Sequence, residues 1–348
     1  MKNEHFFRIA VPILAVILGL LAGAIIMLIS GYKPLLGYSA LLDGIIGDPY
    51  QIGETIRAMT PLILSGLAVA FAFRTGLFNI GVEGQLLVGW LASVWVGIAF
   101  DLPGIIHLPL AILAAALAGA LWGFIPGLLK AKLKVHEVIV TIMMNYIALH
   151  VTNALIRTFL LEPGERTGNI KKSASLASEN LMALTEFSRL HYGIIVALIG
   201  AFIMWFILER TTKGYELKAV GYNQHASQYA GMSVSKNIIL AMSISGAFAG
   251  VAGAMEGLGT YQYMTINGGF TGQGFDGIAV ALLGANSAIG IVFASLLFGG
   301  LKIGALMMQS VARVPTELVE IVIALIIFFV ASSYIIRWFF NRFSKEGK

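Results

Sequence analysis

Apolar runs of membrane-spanning length, separated by short polar breaks, dominate the pattern of this chain. About 20 apolar residues cross the roughly 30 Å hydrocarbon layer as a helix. The run 9–29 meets that requirement at once. It follows Lys2 and Arg8 but is too long for the apolar core of a secretory signal, so it reads as a retained first helix. Further runs at 55–73, 84–100, 108–129, 138–160, 192–208, 237–257, 275–285, 287–309 and 317–337 bring the expected crossings to ten. Three are short, and 275–285 is short enough to be a half helix or re-entrant segment. The fold class expected is an all-α polytopic membrane protein, with residues 1–348 as one transmembrane domain.

The polar breaks orient the runs. Lys130, Lys132 and Lys134 follow the fourth, Arg210, Lys213, Lys218 and Lys236 lie after the sixth, and Arg337, Arg342, Lys345 and Lys348 follow the last. Cytoplasmic loops carry an excess of Lys and Arg. Ten crossings with the N-terminus inside place all three clusters, and both termini, in the cytoplasm. Loop 161–191, with charges of mixed sign, then lies outside.

An internal similarity runs through the pattern. Ser65-Gly66 opens a small-residue helix leading to Gly81-Val82-Glu83-Gly84, and Ser245-Gly246 opens another leading to Gly274-Phe275-Asp276-Gly277. Both copies end in glycine, apolar residue, acid, glycine, followed by an apolar run. Five crossings apart, they point in opposite directions, as in the inverted repeats of transporters with broken helices.

Composition sharpens the class. Of 348 residues 58% are hydrophobic and 12% charged, and the mean hydropathy is +0.85. A soluble domain carries about 25% charged residues. The net charge of +5 comes from 23 Lys+Arg against 18 Asp+Glu; these sit at run ends as topology signals, not as a nucleic-acid surface. There is no cysteine, so disulfides and thiolate metal sites are excluded.

Catalytic patterns are scarce. There is no Gly-x4-Gly-Lys-Ser/Thr, so ATP is not bound here through a P-loop. Gly272-x-Gly274-x-x-Gly277 matches a dinucleotide fingerprint by letters but lacks the βαβ setting. His136-Glu137 has Val140 where a zinc protease needs its second histidine.

Polar residues inside apolar runs are the better signal, because each is costly in lipid. Glu83 and Asp276 stand at helix starts, where a carboxylate is either a cap or a solute contact. Asn79 and Gln85 surround the first, Gln273 and Asn286 the second. Glu137, Thr141 and Asn145 recur every four residues along one face of the fifth span, which suits either a pathway or contacts between helices. The candidate pathway residues are therefore Asn79, Glu83, Gln85, Thr141, Asn145, Gln273, Asp276 and Asn286, with no catalytic or metal residue. Glu256, Lys302 and Glu320 also interrupt apolar runs. Gly19-x3-Gly23, Gly246-x3-Gly250 and Gly300-x3-Gly304 predict close helix packing.

The polar segment 209–236 is far longer than a turn. It is helix-capable from Tyr215 to Val220 and from Asn223 to Ala230, with Gly221 and Gly231 as punctuation, and reads as a docking element for a partner.

Three stretches carry a family resemblance: Phe78-Asn-Ile-Gly-Val-Glu-Gly-Gln-Leu-Leu87; Gly214-Tyr-Glu-Leu-Lys-Ala-Val-Gly-x-Asn-x-x-Ala-x-x-x-x-Gly231; and Gly274-Phe-Asp-Gly-Ile-Ala-Val-Ala-Leu-Leu-Gly284. Together they resemble the branched-chain amino acid/ribose-type ABC permeases, nucleoside and simple-sugar branch, over about residues 55 to 335. The resemblance implies a non-enzymatic permease subunit in a bacterial cytoplasmic membrane, moving a nucleoside or, as alternatives, a simple sugar or branched-chain amino acid. It implies a cytoplasmic ATPase that binds the ATP, a second permease subunit, similar or identical, and an extracellular or periplasmic solute-binding protein. No cofactor of the chain's own and no nucleic acid are implied. Gly214, Tyr215, Glu216, Ala219, Gly221, Asn223, Ala226 and Gly231 are carried over as ATPase-coupling residues. Tyr222 departs from the small residue expected there.

Overall fold

The structure, a computed structural model, describes residues 2–331; the basic cluster from Arg337 to Lys348, Trp338 and the end of run 317–337 lie outside these. Fourteen α-helices are present among the described residues: α1 Lys2–Ile29, α2 Pro34–Ile46, α3 Pro49–Arg74, α4 Val82–Ala99, α5 Gly104–Leu133, α6 Glu137–Leu155, α7 Glu179–Leu184, α8 Gly193–Arg210, α9 Thr212–Tyr222, α10 Gln224–Tyr229, α11 Val234–Ala254, α12 Gln273–Leu283, α13 Ala288–Ala312 and α14 Thr316–Ala331. π-helical turns extend α6 over Ile156–Leu160 and α11 over Met255–Thr260. Strands Leu161–Glu162 and Arg166–Thr167 pair antiparallel in the following loop. The chain is an all-α polytopic membrane protein. Among the described residues, seven helical segments are long and apolar enough to cross a bilayer, and Val16–Ile29, Pro34–Ile46 and Gln273–Leu283 are shorter apolar helices.

The chain divides into two compact units, residues 1–52 with 300–348, and residues 53–299. In the first, α1 packs along α14, and glycines set the spacing. A Cβ on Gly23 would lie 2.7 Å from Val322 Cγ2, and one on Gly44 would lie 2.8 Å from Gly304 Cα. Helix α2 has no counterpart among the expected runs. Its 13 residues include Asp43 and two glycines, too few apolar residues for a length criterion.

The second unit is built on α11. A Cβ on Gly246 or Gly250 would strike the Gly119 or Ala115 carbonyl of α5, so the expected close packing at Gly246-x3-Gly250 is present. Gly253 meets α4 at Leu86 and Gly257 meets it at Trp90 and Val94, so α4 runs parallel to α11. Helix α12 meets α3 through Gly277 on Ser65 and Val280 on Gly66. Because α3 and α8 run together while α8 is antiparallel to α11 (Gly193 beside Met255, Gly200 beside Phe248), α4 and α12 point in opposite directions. Helix α4 begins level with the middle of α11, and α12 begins level with the middle of α3. The segments 75–81 and 261–272 therefore turn back into the bundle from opposite ends. This is the expected inverted arrangement, and the half helix expected at 275–285 is α12, Gln273–Leu283.

Segment 161–191 is sewn to the π turn after α11 and to the residues that follow it by backbone hydrogen bonds: Thr167 N to Met264 O at 2.8 Å, Ile170 N to Gln262 O at 2.9 Å and Leu176 N to Leu258 O at 2.9 Å. At the other end of the bundle, α9 and α10 follow caps from Thr211, which accepts from Gly214 N at 3.0 Å, and Asn223, which accepts from Ala226 N at 3.0 Å.

Candidate functional site

A helix start leaves four backbone N–H groups without intrahelical partners. Both α4 and α12 begin after a glycine, Gly81 and Gly272, and neither cap residue offers a side chain. Buried side chains from elsewhere supply the missing acceptors, and these define the site.

Gly272 adopts φ +82°, which an L side chain resists, and so turns the re-entrant segment into α12. The α12 donors are met by Glu83, in the first turn of α4. Glu83 Oε1 accepts from Thr271 N at 2.6 Å, Thr271 Oγ1 at 2.7 Å and Gly272 N at 3.1 Å; Oε2 accepts from Gly274 N at 2.7 Å. The residue is fully buried. Glycine is required at 274, since a Cβ would lie 2.5 Å from Glu83 Cα. Glu83 is thus a cap, but of the opposite half helix.

The α4 start is held by Asn145 of α6. Its Oδ1 accepts from Gly84 N at 2.8 Å and its Nδ2 donates to Ile80 O at 3.0 Å. Segment 75–81 is pinned by Asn79, whose Nδ2 donates to Gln85 Oε1 and to Ser245 Oγ, both at 2.8 Å; Ser245 Oγ in turn donates to Ala68 O at 2.6 Å. Thr141 returns its hydroxyl to Glu137 O at 2.8 Å, and Glu137 pairs with Lys130 of α5 at 2.5 Å. On the polar face of α6, Glu137 and Asn145 therefore bond neighbouring elements, while Thr141 bonds back within its own helix.

The structure brings Asn79, Glu83, Gln85, Thr141 and Asn145 into one buried cluster with Ser245. Asp276 is half-buried in the first turn of α12. Asn286 lies at the other end of α12, with φ +53° and its N–H bonded to Ala281 O at 2.8 Å, as a C-terminal cap. Gln273 sits against a residue outside the candidate set: its Nε2 donates to Glu256 Oε1 at 2.9 Å. Glu256 is 1% exposed on the π turn after α11. Its Oε2 and Gln273 Oε1 are buried and without a hydrogen-bond partner. The sequence marks Glu256 as a charge inside an apolar run, but the π turn that aims it at Gln273 has no sequence signature of its own. Close by, Glu54 joins Arg57 at 2.8 Å and Arg189 at 3.0 Å.

His191 lies beside this group, 1% exposed. Its Nδ1 accepts from Gly193 N at 3.1 Å, which leaves the proton of the neutral ring on Nε2, 3.4 Å from Thr260 Oγ1. Burial above all, with Arg57 adding repulsion, holds its pKa down at about 4.

At the opposite end, α9 seats on the turn after α3. A Cβ on Gly221 would lie 2.6 Å from Thr75 C, and one on Gly76 (φ +73°) would lie 2.5 Å from Gly221 Cα. Arg74 and Lys218 both reach Glu209, the latter at 2.9 Å. Gly214 is buried against α8 at Ile207 and Leu208. Glu216 bonds Lys213 at 2.7 Å and Asn237 at 3.3 Å, which holds its carboxyl below the usual range. Of the carried-over coupling residues, Tyr215, Asn223, Ala226 and Gly231 are exposed, Glu216, Ala219 and Gly221 are half-buried and Gly214 is buried. The most exposed large hydrophobic side chains here are Tyr222 at 91% and Tyr229 at 95%, neither of them among the residues carried over.

Comparison with known proteins places this architecture. The chain is 67% identical over 344 residues to a guanosine ABC transporter permease protein of Bacillus subtilis, covering 99% of each chain. It is 43% identical to a nucleoside ABC transporter permease protein of Lactococcus lactis, over 96% of this chain and 94% of that one. It is 33% identical to a glucose ABC transporter permease protein of Haloferax volcanii, over 95% and 88%. The family model described as "Branched-chain amino acid transport system / permease component" matches residues 51–331. With the paired half helices and the polar helical segment between α8 and α11, the match settles the family: this chain belongs to the branched-chain amino acid transport system permease components.

Proposed function

We propose that this chain is the permease subunit of an ATP-driven importer of nucleosides, guanosine among them. The observation that carries the reading is 67% identity along essentially the whole chain to a guanosine permease, together with 43% identity to a nucleoside permease. The glucose permease at 33% supports a simple sugar as the second reading.

In this reading both units form one permease domain in a bacterial cytoplasmic membrane. Both termini and α9–α10 face the cytoplasm, and segment 161–191 faces out. A cytoplasmic ATPase binds the nucleotide and docks on residues 214–231, a second permease subunit completes the pathway, and a solute-binding protein delivers solute to the outer loops. Coupling requires that the ATPase bind two permease conformations with different free energy. The seat of Gly221 on Thr75–Gly76 links the docking segment to α3 and hence to segment 75–81. Asn79 and Gln85 bond each other and Asn145 bonds the backbone at Ile80 and Gly84, so the three tie segment 75–81 to the start of α4, from which Glu83 carries the movement to α12. No covalent step occurs in this chain.

Uptake of radiolabelled guanosine by cells with and without the gene, competed by other nucleosides, ribose and leucine, tests the reading. Loss of uptake that only nucleosides compete is the expected result. Unchanged guanosine uptake together with lost ribose or glucose uptake would transfer the assignment to sugars.

A further inference from the structure

The polar cluster where α3, the π turn after α11 and the start of α12 meet contains two acceptors that the capping network does not use. Glu256 Oε2 and Gln273 Oε1 are both buried and unpartnered, while the other ends of the two side chains bond each other at 2.9 Å. A buried polar atom left without a partner costs free energy and is rare in native structures. Each of these two oxygens is thus left open to a hydrogen-bond donor from outside the chain. The nearby guanidinium of Arg57 is engaged through Nε with Glu54, as is that of Arg189 through Nη2. Both guanidinium groups attract the Glu256 carboxylate across the cluster. π turns inside helices recur at functional sites; this one is closed by Tyr261 N donating to Glu256 O at 2.9 Å. Tyr261 stacks on Trp90 with ring centroids 5.4 Å apart and is itself 41% exposed. The cluster therefore reaches the surface at Tyr261 and at half-buried Gln273 and Arg57.

We propose that Glu256 and Gln273 are a solute-contact site in the pathway, at which the carboxylate and amide oxygens accept two adjacent N–H or O–H donors of the transported molecule. The inference rests on the nucleoside reading and deepens it. Nucleosides offer the matching chemistry in two places: the vicinal diol of the ribose, and the neighbouring ring N–H and amino group of guanine. Tyr261, already stacked on one face, offers its ring to a flat base. Neither residue is needed by the caps of α4 or α12, which Asn145 and Glu83 complete.

The test uses the complete importer in proteoliposomes with saturating solute-binding protein, so that maximal rate reports the permease. Guanosine, inosine (without the amino group) and 2′,3′-dideoxyguanosine (without the diol) are compared in wild type, Glu256→Gln and Gln273→Met. The expected wild type moves guanosine at least fivefold faster than one of the two analogues. Either variant lowers the guanosine rate at least fivefold and leaves that analogue unchanged, so the ratio collapses. Inosine as the slow analogue assigns the base edge; the dideoxy compound assigns the diol. A variant that slows all three solutes equally, or none, overturns the site and gives the residues a packing role. Equal wild-type rates for all three overturn it as well while leaving the nucleoside reading standing. A wild type that moves none of the three refutes the reading and the site together. If Glu256→Gln fails to assemble, Gln273→Met, which keeps the carboxylate, decides by the same ratio.

Discussion

Glu83→Gln tests whether one carboxylate holds the two half helices together. The side chain accepts four hydrogen bonds, three on Oε1 and one on Oε2. With the glutamine oxygen in place of Oε1, its amino group faces Gly274 N–H, donor against donor, and one buried N–H is orphaned at about 1–3 kcal/mol. The remaining three bonds lose their charge assistance, roughly half the strength of each. Allowing the segment to relax, the total is about 3–5 kcal/mol, toward the upper end for a single substitution. At 1.4 kcal/mol per decade, local opening of residues 271–274 rises by roughly two to three and a half powers of ten. Hydrogen exchange of a peptide spanning this segment reads that change directly. The amide of Gly84, whose acceptor is Asn145, is the internal control and keeps its protection. Exchange at 272 and 274 within about threefold of wild type, under 1 kcal/mol, would refute the cap and leave the short contacts without energetic weight.

Asn145→Leu leaves Gly84 N–H and Ile80 C=O unpaired in the interior, at about 2–4 kcal/mol for the two; a lowered thermal midpoint in detergent is expected, and a wild-type midpoint would return Asn145 to the pathway. Tyr222→Ala and Tyr229→Ala remove side chains 91% and 95% exposed, so the bundle stays intact while ATPase docking weakens by about 1–2 kcal/mol each, 5- to 30-fold; unchanged ATPase stimulation in both would move the docking surface elsewhere. His191 binds its proton at about 4 in the fold and near 6.5 when unfolded. The depressed value makes its contribution complete above pH 6.5 and lost as pH falls toward 4, about 3 kcal/mol in all. His191→Asn, whose oxygen still accepts from the N–H two residues on, should flatten that part of the stability–pH profile, and a profile identical to wild type would clear His191 of the effect.

The long helices were readable because bilayer thickness sets a length that few soluble sequences satisfy. Helix α2 escaped because 13 residues with Asp43 fall below that length, and the π turns at 156–160 and 255–260 because their hydrogen-bond shift leaves no mark in composition. The polar residues around the first half helix are readable as a group, since Asn79 and Glu83 stand between two apolar runs while Gln85 and Asn145 lie inside runs, where a polar group is costly. Their partners were not readable. Ser245 appeared as half of a small-residue repeat, yet its hydroxyl links Asn79 to Ala68. Glu256 was visible as an isolated charge, but only the turn of the backbone brings it to Gln273. Gly221 is more than punctuation in the segment: it is the seat of α9 on Thr75–Gly76, so Gly221→Trp would disturb the bundle as well as docking, and the exposed tyrosines are the cleaner probe.

The repeated motif shows where letters and geometry part. Aligned on glycine, acid and glycine, Glu83 corresponds to Asp276. Aligned on the observed helix caps, Gly81 and Gly272, Glu83 corresponds to Gly274, the residue it touches. Two helix N-termini that face each other bring two partial positive charges together. A carboxylate from one first turn that bonds the donors of the other offsets both. At such a meeting point there is space for one side chain only, because a Cβ on Gly274 would collide with the Glu83 backbone. An inverted repeat must therefore lose its symmetry where the copies meet: one contributes the acid, the other the glycine that admits it, and Asn145 takes over the cap that a second acid would have made.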